Sequence, residues 1–101
     1  MANRPQPNNA SVMTADGYVK TTPGIVFSLT IAGAGATEGD TVVLRDGGPT
    51  GTIKFYGIVS TDNVTEPTVN FGKYGARFAT NIYYSEQVTA AGKVRTTVVY
   101  D

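Results

Sequence analysis

Gly24-Ile25-Val26-Phe27-Ser28-Leu29-Thr30-Ile31-Ala32 is the stretch on which the fold turns. Ile25, Phe27, Leu29 and Ile31 alternate with Val26, Ser28, Thr30 and Ala32, a period of two where a helix would show 3.6. In an extended chain successive side chains point to opposite faces, so the pattern predicts a strand with four large apolar groups on one side. Pro23 precedes it, where the missing N–H costs no ladder bond. Gly33 to Asp40 follows as a small-residue, Gly-rich loop with no apolar anchor.

The same period recurs downstream. Thr41 to Asp46 predicts a strand with Val42 and Leu44 opposite Val43 and Arg45. Asp46-Gly47-Gly48-Pro49-Thr50-Gly51 predicts a hairpin connection, because its glycines supply the positive φ of tight turns. Thr52 to Val59 predicts the return strand, with Ile53, Phe55 and Val59 on one face and Lys54, Tyr56 and Ile58 on the other. Pro67 to Phe71, Ala76 to Tyr84 and Lys93 to Tyr100 complete the series, the last with Val94, Thr96, Val98 and Tyr100 facing one way. Tyr18 to Thr22 adds a short leading strand. Ser85 to Gly92 has a Ser N-cap and a Gly stop; it reads as loop, with a single helical turn as the alternative. About seven short strands without a substantial helix predict an all-β fold, an antiparallel β-sandwich of immunoglobulin-like or jelly-roll-like type, with about a dozen inward residues.

Residues 1–15 differ from the rest. Pro5, Pro7, Asn3, Asn8, Asn9 and Gln6 leave only Val12 and Met13 as sizeable apolar groups after Met1. Such a segment buries too little to offset its ordering entropy. The reading is a flexible N-terminal arm ahead of a single domain over residues 16–101: either a frayed end or an arm that orders against a partner.

Composition removes most chemistry. The chain has 101 residues, 41% hydrophobic, which suits one core. It has no Cys, hence no disulfide, thiolate ligand or Cys nucleophile, and no His, hence no imidazole base or Ser-His pair. Eight basic and eight acidic residues give no net charge and no basic cluster, so no nucleic-acid partner is expected. No stretch reaches the ~18 apolar residues of a membrane helix, so no membrane partner is expected either. The first residues lack the apolar core of a secretory signal, and the expectation is folding in a cytoplasm.

The remaining motifs are weak. The acids Asp16, Glu38, Asp40, Asp46, Asp62, Glu66, Glu86 and Asp101 fall mainly in turns and at the termini, as solvated charges rather than the paired carboxylates of a glycosidase. Glu38, Asp40 and Asp46 flank loops that could converge, but no calcium-loop spacing is present. Gly33-Ala34-Gly35-Ala36 follows a strand but opens no helix, so it is no dinucleotide fingerprint. No catalytic residue, no metal site and no cofactor is therefore expected, and the chain reads as a non-enzyme. Tyr56 and Tyr83, with Arg77, take outward positions, and Tyr and Arg are the residues that interfaces favour. With Arg4, Pro5, Pro7, Val12 and Met13 of the arm, they form the set of candidate partner-binding residues.

The order of the motifs carries a resemblance. Gly17-Tyr18-Val19-Lys20 leads into Pro23-Gly24-Ile25-Val26-Phe27-Ser28-Leu29-Thr30. Thr41-Val42-Val43-Leu44-Arg45-Asp46-Gly47, a Gly-rich turn, Gly51-Thr52-Ile53 and the terminal Thr96-Thr97-Val98-Val99-Tyr100-Asp101 follow. From Gly17 to Asp101 this resembles the ~100-residue β-sandwich virion structural proteins of tailed bacteriophages, among them head decoration (cement) and tail-associated proteins. The resemblance implies a virion protein assembled in the host cytoplasm that decorates or cements the capsid by binding the major capsid protein. It also implies a homo-oligomer, with a trimer favoured because decoration proteins often occupy local three-fold axes. The alternative is a receptor- or carbohydrate-binding module of a tail fibre, using the outward tyrosines.

Overall fold

A computed structural model describes residues 9–32, 39–59, 68–89 and 94–101. Nine strands run through them: β1 (Asn9–Met13), β2 (Gly17–Lys20), β3 (Gly24–Ala32), β4 (Thr41–Asp46), β5 (Thr52–Ile58), β6 (Thr68–Asn70), β7 (Ala76–Phe78), β8 (Ile82–Gln87) and β9 (Arg95–Tyr100). All pairings are antiparallel. Sheet A has the order β1-β9-β3-β6, with β7 also on β3; sheet B has the order β2-β8-β4-β5. The two sheets pack face to face as a β-sandwich. Twelve buried hydrophobic residues form its core, among them Val26, Leu29 and Ile31 of β3, Val42 and Leu44 of β4, Ile82 and Tyr84 of β8, and Val98 of β9.

The strands from Gly24 to Ala32 and from Thr41 to Asp46 have the bounds that the alternation predicts. Four expectations need correction. First, the chain has nine strands among the described residues rather than about seven. Ala76 to Tyr84 is not one strand: it divides at Ala79–Asn81, with β7 in sheet A and β8 in sheet B. The Asp46 carboxylate holds the crossing, accepting from the N–H groups of Ala79 at 2.8 Å, Thr80 at 2.8 Å and Asn81 at 3.3 Å. The Asn81 side-chain oxygen returns the contact, accepting from Gly47 N–H at 3.1 Å and Gly48 N–H at 3.0 Å. Two turns distant in sequence are thus clasped by reciprocal caps, each satisfying backbone donors that no ladder reaches.

Second, Asn9 to Met13 is not flexible arm. It pairs with β9 residue by residue, from Asn9 opposite Tyr100 to Met13 opposite Thr96. Backbone ladder bonds order a polar segment that its own side-chain burial could not. Third, Ser85, Glu86 and Gln87 continue β8, so the loop or helical turn expected there does not start at Ser85.

Fourth, two bulges change which face a residue takes. The register slips between Val26 and Ser28 against β9, leaving Phe27 as the extra residue. Val26 therefore joins Leu29 and Ile31 in the core, a spacing that strict alternation forbids. Buried Phe27 lies outside that cluster, beside the turn at Gly75, where a methyl group would come within 3.3 Å of its ring. In sheet B, Leu44 opposes Phe55 while Arg45 opposes Ile53, so Lys54 is extra and Ile53 turns outward. Ile53 was expected beside Phe55; it lies half exposed on the opposite face.

Candidate functional site

The outer face of sheet B is the candidate site, and the strand registers build it. Tyr18 of β2 opposes Tyr83 of β8, and their rings meet edge to face at 4.9 Å. Tyr83 opposes Arg45 of β4, which opposes Ile53 of β5. One step along, Ser85 opposes Val43, which opposes Tyr56. The last row runs from Gln87 through Thr41 to Ile58. Antiparallel partners lie on the same face, so these rows make one continuous surface.

Six large hydrophobic residues are exposed among the described residues, and four of them, Tyr18, Ile53, Tyr56 and Ile58, stand on this face. Tyr56 and Ile58 are 58% and 64% exposed. Val43 is covered by its neighbours, and beside it a depression of 130 Å³ is bounded by Tyr56, Arg45, Ser85 and Gln87. Arg45 is the one cation in these rows, and its guanidinium donates to the Gly51 carbonyl at 2.9 Å. The face is thus aromatic and aliphatic with a polar rim.

The sequence candidates separate on this frame. Tyr56 and Tyr83 come together on the outer face of sheet B. Arg77 lies on β7 in sheet A, at a notch of 230 Å³ shared with Lys20, Pro23, Ile25 and Asp101. Val12 is exposed on β1, whereas Met13 packs partly against the core. Arg4, Pro5 and Pro7 lie outside the described residues. Ile58 was legible as an outward residue but not as part of a site. Tyr18 and Ile53 were missed, the first because its partner is 65 positions away in the chain, the second because of the Lys54 bulge.

Three of the described carboxylates, Asp16, Asp40 and Asp46, accept from backbone N–H groups. Asp46 is held below its ordinary value of 3.8 chiefly by the N–H groups of Ala79 and Thr80. Asp16 accepts from Glu86 N–H at 2.8 Å, and buried Asp40 accepts from Thr89 N–H at 3.3 Å. Glu38, the third of the acids expected to converge, lies outside the described residues. Burial pushes the Glu86 carboxyl upward, the Asp16 and Asp40 charges add to this, and the neighbouring Tyr84 hydroxyl opposes it. One of its oxygens, Oε1, is buried without a hydrogen-bond partner. The Tyr84 hydroxyl pairs with Thr96 Oγ1 at 3.0 Å inside the core, and burial raises its pKa far above the ordinary tyrosine value. Among the described residues, no three metal-ligating side chains converge.

No family model, curated protein or solved structure matches this chain.

Proposed function

We propose that this chain is a non-catalytic virion structural protein that decorates or cements the capsid of a tailed bacteriophage, docking on the major capsid protein through the outer face of sheet B. One observation carries the docking surface: among the described residues, four of the six exposed large hydrophobics share that one sheet face. Apolar residues scattered singly over a surface call for no explanation, whereas a contiguous group marks an interaction site. The order of strand and turn motifs from Gly17 to Asp101 supports the virion assignment, and the employment of Asp40 and Asp46 as backbone caps supports the absence of catalysis.

The test is co-pelleting with undecorated capsids of the phage that encodes the chain. Tyr56→Ser and Ile58→Ser, both at exposed positions, should leave the melting temperature nearly unchanged and weaken capsid binding at least about tenfold, the loss of one good anchor. Unaltered pelleting by both variants would remove sheet B from the contact. A glycan-binding tail-fibre module is the second reading, favoured by the depression between Tyr56 and Arg45 with its Ser85 and Gln87 rim. Under it, the same variants lose retention on a glycan surface instead.

A further inference from the structure

The open edge of β5 points to a contact that goes beyond capsid docking. β5 ends the order of sheet B, and among the described residues no strand pairs with its far side. Beyond the bulge at Lys54 it runs regularly from Phe55 to Val59, as long a stretch as β1 offers. It carries two exposed large hydrophobics, Tyr56 and Ile58, against Val12 alone on β1. β2 has four residues and a register slip, β6 and β7 have three each, and β1 has five. Short and bulged edges are protected against further pairing, and an exposed apolar one invites it.

The backbone groups on that edge can be identified. Val59 N–H donates to the Asp40 carbonyl at 2.7 Å, and the Val59 carbonyl accepts from Gly39 N–H at 3.1 Å, so both Val59 groups face the β4 side. Alternation along the strand then turns the N–H and C=O of Ile58 and Tyr56 to the open side. These two residues are also the most exposed large hydrophobics of the outer face. Gly57 between them has none.

We propose that two copies of this chain pair antiparallel along β5 about a two-fold axis at Gly57, joining their B sheets into one of eight strands. Gly57 meets Gly57 of the other copy, and Tyr56 of each copy opposes Ile58 of the other. Each of these two pairs exchanges two backbone hydrogen bonds, four in all, and lays an aromatic ring beside a β-branched side chain, a favourable cross-strand pair. The register is self-complementary: every contact made once is made again by symmetry. Zero formal net charge lets the copies approach without long-range repulsion. The bulge at Lys54 ends the pairable stretch at Phe55, and a two-fold contact uses the β5 edge of each copy once, which closes it at two. A stretch of five residues a side is far below the ~20–30 of a standard interface, so the dimer is weak and concentration-dependent.

Sedimentation in buffer, with no capsid or glycan present, tests this apart from the docking reading, so either can fail alone. The wild-type chain should pass from monomer to dimer between low micromolar and about 1 mM. Ile58→Pro removes an N–H that the monomer does not use, which an edge strand tolerates, and should keep the chain monomeric throughout. Cross-linking reads the register and leaves the strand intact. In the proposed pairing the Cα atoms of Tyr56 and Ile58 of the other copy lie about 5.5 Å apart. That is within the roughly 4.4–6.8 Å of a disulfide. The chain has no cysteine of its own. An oxidised mixture of Tyr56→Cys and Ile58→Cys proteins should give a covalent dimer, and neither protein alone should. A wild-type monomer at every concentration, a trimer, or cross-linking of Tyr56→Cys with itself would overturn the proposal.

Discussion

Replacing Tyr84 by Phe and Thr96 by Val, singly and together, tests how the core holds a polar pair. Tyr84 is fully buried on the inner side of sheet B and Thr96 is 1% exposed on β9 of sheet A, so their 3.0 Å hydrogen bond links the two layers. Tyr84→Phe removes one hydroxyl and strands the Thr96 hydroxyl away from water; losing a buried partner in this way costs about 1–3 kcal/mol. Thr96→Val strands the phenol instead, but the Glu86 carboxylate lies near enough to influence it, so this variant falls at the lower end, about 1 kcal/mol. The double variant leaves neither hydroxyl unsatisfied and exchanges each residue for an apolar one of similar shape. It should cost about 1 kcal/mol less than the two singles added. Urea unfolding followed by circular dichroism measures the three differences, with an unchanged slope showing that the unfolded state is the same. In a domain of this size, each kcal/mol also lowers the melting temperature by roughly 4–8 °C. Strictly additive losses would refute the reasoning, because they would mean that the two hydroxyls do not depend on each other in a dry interior.

Glu86→Gln should raise the melting temperature at pH 7. The folded pKa of Glu86 lies above its ordinary 4.5, so its ionised form opposes folding at neutral pH, and the advantage of Gln should fade as the pH falls through that folded value and below 4.5. Asp46 has the opposite sign: its pKa is lowered on folding, so its contribution is present above 3.8 and is lost as the pH falls through the folded value. Asp46→Asn should therefore flatten the acid limb of a stability-against-pH curve. Gly75→Ala should destabilise by about 1–3 kcal/mol in urea unfolding, since the residue sits at φ +72° and a Cβ would lie 2.5 Å from Ile25 Cγ2. Deleting residues 1–14 should lower the melting temperature because it removes β1 from the edge of β9; an unchanged temperature would contradict the β1 pairing.

Alternation made most of the fold legible. Wherever a strand runs without interruption, as along Thr41–Asp46 or Arg95–Tyr100, parity alone assigns the inner residues, and Val94, Thr96 and Val98 are buried as the pattern requires. Parity fails where the register slips. One extra residue at Phe27 exchanges Ile25 for Val26 in the core, and one at Lys54 sends Ile53 to the surface. A bulge is a property of two strands together, created by the partner's register, and neither Phe27 nor Lys54 announces it locally. The order of Asn9–Met13 likewise depends on β9, whose residues lie more than 80 positions further on.

The candidate site follows the same division. Tyr56, Tyr83 and Ile58 were readable as outward residues because each lies on an uninterrupted stretch. That they share a face could not be read, since it requires β8, β4 and β5 to be neighbours in this order. Tyr18 joins them only through its pairing with Tyr83, and Arg77 leaves them because the Asp46 clasp directs β7 and β8 into different sheets. The clasp consequently decides more than stability. It places the strand carrying Tyr83 in sheet B, next to the one carrying Arg45. A carboxylate that caps backbone N–H groups at a hairpin turn thereby determines which aromatic residues are gathered on one surface, and an exposed apolar face arises from side chains that were never near one another in the chain.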